Sequence, residues 1–191
     1  MKHKILILGP QGSGKGTQAN ILSEVLNIPA LSMGQLLRNE IASGSDLGNE
    51  ISSIINQGNL VSDDLALQIL KKRLFQPDAE NGYILDGYPR NKAQQEAYST
   101  FDSPTEVLVI QVPRDESVSR LLKRAEIEGR ADDTQELIEK RLNIYTEQTQ
   151  PIIDMYKQQG VVKEVDGIGT IEEIAKRIKE KGLKVSRYGN A

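Results

Sequence analysis

The sequence predicts an α/β fold built on a parallel sheet, and three observations carry that reading. Apolar runs alternate with helical patterns along all 191 residues. Two of those runs, "KILIL" (4–8) and "EVLVIQV" (106–112), are almost continuously apolar, as strands buried on both faces are. The first run passes directly into a glycine-rich turn that opens a helix.

Taken in order, strands are expected at 4–8, 83–86, 106–112 and 161–165, with "IPALS" (28–32) as a weaker fifth. Helices are expected near 16–26, 34–43, 46–57, 63–75, 91–99, 115–128, 134–158 and 170–181. Asp133 with Glu136, and Thr170 with Glu173, have the spacing of capping boxes. Two stretches depart from the strand–helix alternation. Residues 32–62 hold two helices with no strand between them, and "AEIEGRADD" (125–133) is a short polar loop between long helices. The tail "LKVSRYGNA" is expected to fray. With two Phe and no Trp, the core falls to Ile, Leu and Val.

Composition narrows the function. A net charge of -3 disfavours nucleic acid as the main partner. No cysteine is present, which excludes disulfides and cysteine-ligated zinc and suits a reducing compartment. No apolar run approaches a membrane span, and "MKHKILILGP" is too short and too soon broken for a signal peptide. These features are read as a cytoplasmic protein without membrane attachment.

The stretch "GPQGSGKGTQAN" (9–20) fits strand, G-x-x-x-x-G-K, helix. Glycines let successive backbone N–H groups turn toward one point at a helix N-terminus, which makes a phosphate cradle. Gly12, Ser13, Gly14, Lys15, Gly16 and Thr17 form it, and Lys15 adds a charge for the outer phosphates of ATP or GTP. Gly16 stands where a metal-gripping Ser or Thr usually follows the lysine, with Thr17 one step later.

G-K-G-T is the form found in adenylate kinases and their nucleoside monophosphate kinase relatives. The rest of the chain resembles that family in order and spacing over about 170 residues, as "LSMGQLLR" (31–38), "GNLVSDDL" (58–65), "YILDGYPRNKAQ" (83–94), "RLLKRAEIEGRADD" (120–133) and "EKRLNIYTEQTQPI" (139–152) show. "DGYPR" together with "GRADD" is far more specific than the glycine loop alone. The resemblance implies a P-loop nucleoside triphosphate hydrolase fold. Its five-stranded parallel sheet is flanked by helices and carries two inserts in one domain. The core would be 1–31, 62–124 and 135–191, the helical monophosphate-binding insert 32–61, and the short lid 125–134.

The implied reaction is ATP + AMP ⇌ 2 ADP with Mg²⁺, serving adenine nucleotide homeostasis, by a monomer. Phosphoryl transfer leaves the protein mainly positioning and charge neutralisation to do. The resemblance gives Arg120, Arg124 and Gly169 to ATP, and Arg38 and Arg90 to the AMP phosphate. Arg130 and Arg141 would bridge the phosphates and AMP. Lys15, Arg90, Arg124, Arg130 and Arg141 form the catalytic set. Met33, Asn59, Leu60, Val61, Gly87, Tyr88, Pro89 and Gln94 complete the AMP side. Arg120 and Arg124, four apart, share a helix face, and arginine's planar fork suits paired phosphate oxygens. Asp86, ending an apolar strand, stands where ligands of open α/β sheets collect, and could organise water around Mg²⁺.

Gln94 favours an adenine edge, which an amide meets with two hydrogen bonds. Met33 and Gln35 replace the family's usual Thr and Asp, so Met33 would give the base an apolar contact and Gln35 would remove a charge. These departures keep two alternatives open: a UMP/CMP kinase of the same fold, and a nucleotide-binding regulator with weakened catalysis. Gly44, Gly48, Gly58 and Gly129 are expected flexible points for insert and lid motion. His3, the single histidine, is expected on the surface before the first strand.

Overall fold

The computed structural model describes residues 2–56, 61–128 and 134–182. Five parallel strands form one sheet: β1 (His3–Leu8), β2 (Ala30–Ser32), β3 (Gly82–Asp86), β4 (Glu106–Gln111) and β5 (Val162–Asp166). Their spatial order is β2-β3-β1-β4-β5. The register sets Ile7 opposite Asp86 and Ser32 opposite Asp86, so three strands end together at one carboxyl edge.

Alternation along the central strands builds two apolar layers. Leu6, Leu8, Tyr83, Leu85, Val107 and Val109 face one side, with Leu70, Tyr98, Ile153 and Tyr156 packed over them. Ile5, Ile7, Ile84, Leu108 and Ile110 face the other, covered by Ala19, Leu22, Ile174 and Ile178. Period-two side chains buried on both faces explain the unbroken apolar runs in the sequence.

The helices on the first side are α4 (Asp63–Leu74), α5 (Lys92–Ser99) and α8 (Gln150–Gln158); α1 (Lys15–Leu26) and α9 (Ile171–Glu180) cover the second. Two helices, α2 (Met33–Ala42) and α3 (Asp46–Asn56), share with α4 a separate apolar cluster of Ile51, Leu65 and Ile69. A further pair, α6 (Arg114–Glu128) and α7 (Gln135–Ile144), meets through Leu121, Ile138 and Leu142. Among the described residues, no helix is long and apolar enough to cross a membrane.

Three expectations need correction, and a fourth gains detail. The helix expected over 134–158 runs without a gap through α7, a π-helical turn over Tyr145–Thr149, and α8. Pro151 cannot donate a backbone hydrogen bond to the preceding turn, which favours the widened turn before it. The cap of α7 is Thr134, whose side chain accepts from the Leu137 N–H; Asp133 lies outside the described residues. Gly48 is no hinge: it lies within α3, where an added Cβ would strike the Glu40 carbonyl of α2, so it permits close helix packing. His3 is the first residue of β1, paired with Gly82. The Thr170–Glu173 capping box is formed in full.

Candidate active site

The glycine loop joins β1 to α1. Gly12 has φ +82°, and a Cβ there would lie 2.7 Å from the Ser117 carbonyl oxygen, so both dihedral and space require glycine. Gly14, also left-handed, caps α1 and leaves the helix N-terminus open. The Lys15 ammonium donates to the carbonyl oxygens of Gly9 (2.8 Å) and Pro10 (2.7 Å), and lies 3.4 Å from Ser13 Oγ. Burial pushes its pKa down to about 8; Asp86 opposes that, while Arg90 and Arg124 add to it.

Asp86 ends β3, and the chain then turns through Gly87 into a cis Tyr88–Pro89 bond. Asp86 lies beneath the loop: a Cβ built on Gly16 would meet its Oδ2 at 3.6 Å. The Arg90 guanidinium folds back over this turn, its Nε donating to the Gly87 carbonyl at 2.8 Å. It keeps an open face, yet the surrounding protein strips enough water to lower its pKa below the ordinary arginine value; Asp86 opposes that shift and Arg141 adds to it. Arginine stays charged regardless. Two further contacts fix the backbone here. The Gln94 side chain accepts the Arg90 N–H at 2.8 Å, and the Thr149 hydroxyl donates to the Arg90 carbonyl at 2.7 Å.

Arg120 on α6 binds Glu116 (2.6 Å) and reaches the Gly167 carbonyl at 3.0 Å, bridging α6 to the turn after β5. Beside it opens a cavity of about 470 Å³ lined by residues including Gly14, Thr17, Gln18, Arg120, Gly169 and Ile171. Half-buried Arg124 and Arg141 come from α6 and α7, and each acts electrostatically on the loop charges. Lys15, Asp86, Arg90, Arg124 and Arg141 thus make one interacting group at the carboxyl edge of the sheet, although they come from four separate segments. Such a group can hold and neutralise polyphosphate.

On the other flank, Arg38 is exposed on α2 and donates to Gln35 at 2.8 Å, above Gly34. Gln35, expected only as a lost charge, is therefore a partner of Arg38.

The adenylate kinase family model matches residues 7–161, which include the glycine loop, the Asp86–Arg90 turn and Arg141. The chain is 46% identical over 180 residues to "Adenylate kinase" of Stenotrophomonas maltophilia (strain K279a), covering 92% of this chain and 96% of the relative. It is 46% identical over the same span, with the same coverage, to "Adenylate kinase" of Xanthomonas campestris pv. campestris (strain B100). The value is 44% for "Adenylate kinase" of Xylella fastidiosa (strain M23).

The chain belongs to the adenylate kinase family.

Membership in the adenylate kinase family makes it a nucleoside monophosphate kinase, a phosphotransferase, and its sheet order and glycine loop agree with that. Among the residues expected in the site, Gly12, Ser13, Gly14, Lys15, Gly16, Thr17, Arg120, Arg124, Gly169, Asp86, Gly87, Arg90 and Arg141 border the loop, its cavity or the adjoining turn. Arg38 stands apart on α2. Three others are used structurally. Met33 is 3% exposed in the main core, Tyr88 is fully buried there, and Val61 packs on the α2–α3–α4 cluster. Pro89 is buried in the turn. Asn59, Leu60 and Arg130, with Gly58 and Gly129, lie outside the described residues.

Two residues of this adenylate kinase site escaped sequence reasoning. Thr149 falls inside the helix expected over 134–158, and Pro151 was the available signal that its turn widens there. Asp63 opens the helix expected over 63–75, and its carboxylate also binds Asn91 and Gln94, about thirty residues away in sequence. No local pattern announces that contact.

Proposed function

We propose that this protein transfers the terminal phosphoryl group of ATP to AMP, reversibly, giving two ADP. The observation that carries this reading is the convergence of Lys15, Arg90, Arg124 and Arg141 on the Asp86 edge of the sheet. Two polyanions must approach there, and charge spreads over the equatorial oxygens of the transferred group. Cations held in place before the reaction lower that barrier without reorganising.

ATP would lay its phosphates across the open N–H groups of residues 12–17, with its base in the cavity beside Arg120 and Gly169. Lys15 would leave the Gly9 and Pro10 carbonyls for the phosphates, exchanging neutral acceptors for charged ones. The AMP phosphate would lie between Arg38 and Arg90, and Gln94 would meet the base. Arg124 and Arg141, with Arg130, would bridge the transferring group.

Mg²⁺ fits the residues present. Asp86 sits under the loop, Gly16 leaves the space above it open, and no cluster of three His, Cys, Asp or Glu among the described residues could hold a bare ion. Asp86 would therefore hold water of the ion's hydration shell, while the phosphates supply direct ligands. When bound, Mg²⁺ neutralises charge on the triphosphate. The protein would act as a monomer, and the lack of cysteine suits the cytoplasm.

An ADP-coupled assay with ATP as donor and AMP, CMP, UMP and GMP as parallel acceptors tests the reading. AMP is expected to be turned over fastest. Faster transfer to UMP or CMP, or nucleotide binding without turnover, would contradict it.

A further inference from the structure

The Gln94 amide is held at both ends. Its Oε1 accepts the Arg90 backbone N–H at 2.8 Å, and its Nε2 donates to Asp63 Oδ1 at 2.7 Å. An ionised carboxylate has no hydrogen to give, and a backbone N–H has no lone pair. Only one of the amide's two orientations satisfies both neighbours. Turning it over would set Oε1 against the carboxylate and Nε2 against the N–H. Asn91 strengthens the arrangement. Its Nδ2 donates to both Asp63 oxygens, at 3.0 and 3.1 Å, and its Oδ1 accepts the Gln94 N–H at 2.8 Å. Gln94 itself is only 7% exposed, so water cannot readily replace these partners.

After these two bonds the amide keeps one lone pair on Oε1 and one N–H on Nε2. It presents an acceptor and a donor in fixed order. A base edge with an exocyclic amino donor next to a bare ring nitrogen matches that order; adenine and cytosine have such edges. An edge with a keto oxygen next to a ring N–H has the reverse order; hypoxanthine, guanine and uracil have these. A freely turning amide would serve either kind.

We propose that Asp63 is a positioning residue for base selectivity: by fixing which way the Gln94 amide faces, it makes the acceptor site take amino edges and refuse keto edges. This rests on the reading of Gln94 as the base contact. It assigns Asp63 more than a role in starting α4 and tethering the Asn91 turn.

AMP and IMP differ almost solely in this edge, so their ratio of kcat/KM reads the amide's orientation. The experiment compares the full chain with its Asp63→Asn variant, ATP as donor, by ADP-coupled assay. Asparagine at 63 can accept or donate, so it no longer opposes the turned amide, and only the Arg90 N–H still favours the original orientation. The AMP:IMP ratio is expected to fall about tenfold or more, the scale of one charge-assisted hydrogen bond. The CMP:UMP ratio on the same variant should fall in parallel. Asp63→Ser serves as a second variant should Asp63→Asn fold poorly.

A merely structural role would lower both rates together and leave the ratios within twofold of the unchanged chain; that result overturns the proposal. A chain with Asp63 intact that does not prefer AMP over IMP overturns the underlying reading of Gln94 as well. A preference that survives in both variants overturns the role of Asp63 alone.

Discussion

The Thr149 hydroxyl donates to the Arg90 carbonyl oxygen at 2.7 Å, tying the π-helical turn before α8 to the turn that presents Arg90. Thr149 is 6% exposed, so its partner has little recourse to water. Thr149→Val keeps the shape and deletes the donor. The change should cost about 1–3 kcal/mol of stability, the usual penalty for a buried polar group losing its partner. Urea unfolding measures it. KM for AMP should rise several-fold while KM for ATP stays near its original value, because Arg90 is proposed to hold the AMP phosphate.

Lys15 predicts a pH dependence. Burial lowers its pKa to about 8. Bound phosphates favour the charged ammonium and so raise that pKa in the complex. ATP affinity is therefore complete below about pH 8 and falls as pH rises above it, by about tenfold per unit until the pKa of the complex is reached. Titration of ATP binding between pH 7 and 10 checks this. Lys15→Arg should abolish the break near pH 8, since arginine keeps its proton throughout.

Loss of one charge contact to the transferred group costs about 10²-fold or more in rate. Lys15→Ala and Arg90→Ala should each lower kcat by at least about that factor and retain the fold. Steady-state rates beside circular dichroism spectra give both readings. Near-normal turnover in either variant would remove that residue from the transfer step.

Gly12 tests the cradle without touching a charge. With φ +82° and the Ser117 carbonyl 2.7 Å from a new Cβ, Gly12→Ala strains the backbone and forces the loop off α6. A stability loss of about 1–3 kcal/mol is expected, together with a rise in KM for ATP. Thermal melts and ATP titrations measure the two effects.

The sheet and most helices were legible in the sequence because each obeys one local rule. Ile5 and Ile7 alternate with Leu6 and Leu8 under two covered faces, and Thr170 finds its capping partner three residues on. The glycine loop was equally readable, since the cradle is made by consecutive residues. What escaped depends on distant chain. The turn at Tyr145–Thr149 lies between the buried Leu142 and Ile152, so the helical pattern reads on across it. Nothing in "LSMGQLLR" shows that Met33 packs into the main apolar layer. Asp63 meets Gln94 only after β3 brings α4 and α5 together.

The structure of the protein bound to two adenosines joined by a chain of phosphates tests the central claim most directly. Lys15 should have left the Gly9 and Pro10 carbonyls. With Arg90, Arg124 and Arg141 it should lie within about 3.2 Å of phosphate oxygens, the bridging phosphates centred above Asp86. The account would be contradicted if Lys15 still bonded its own loop and the three guanidinium groups pointed away from the bound anions.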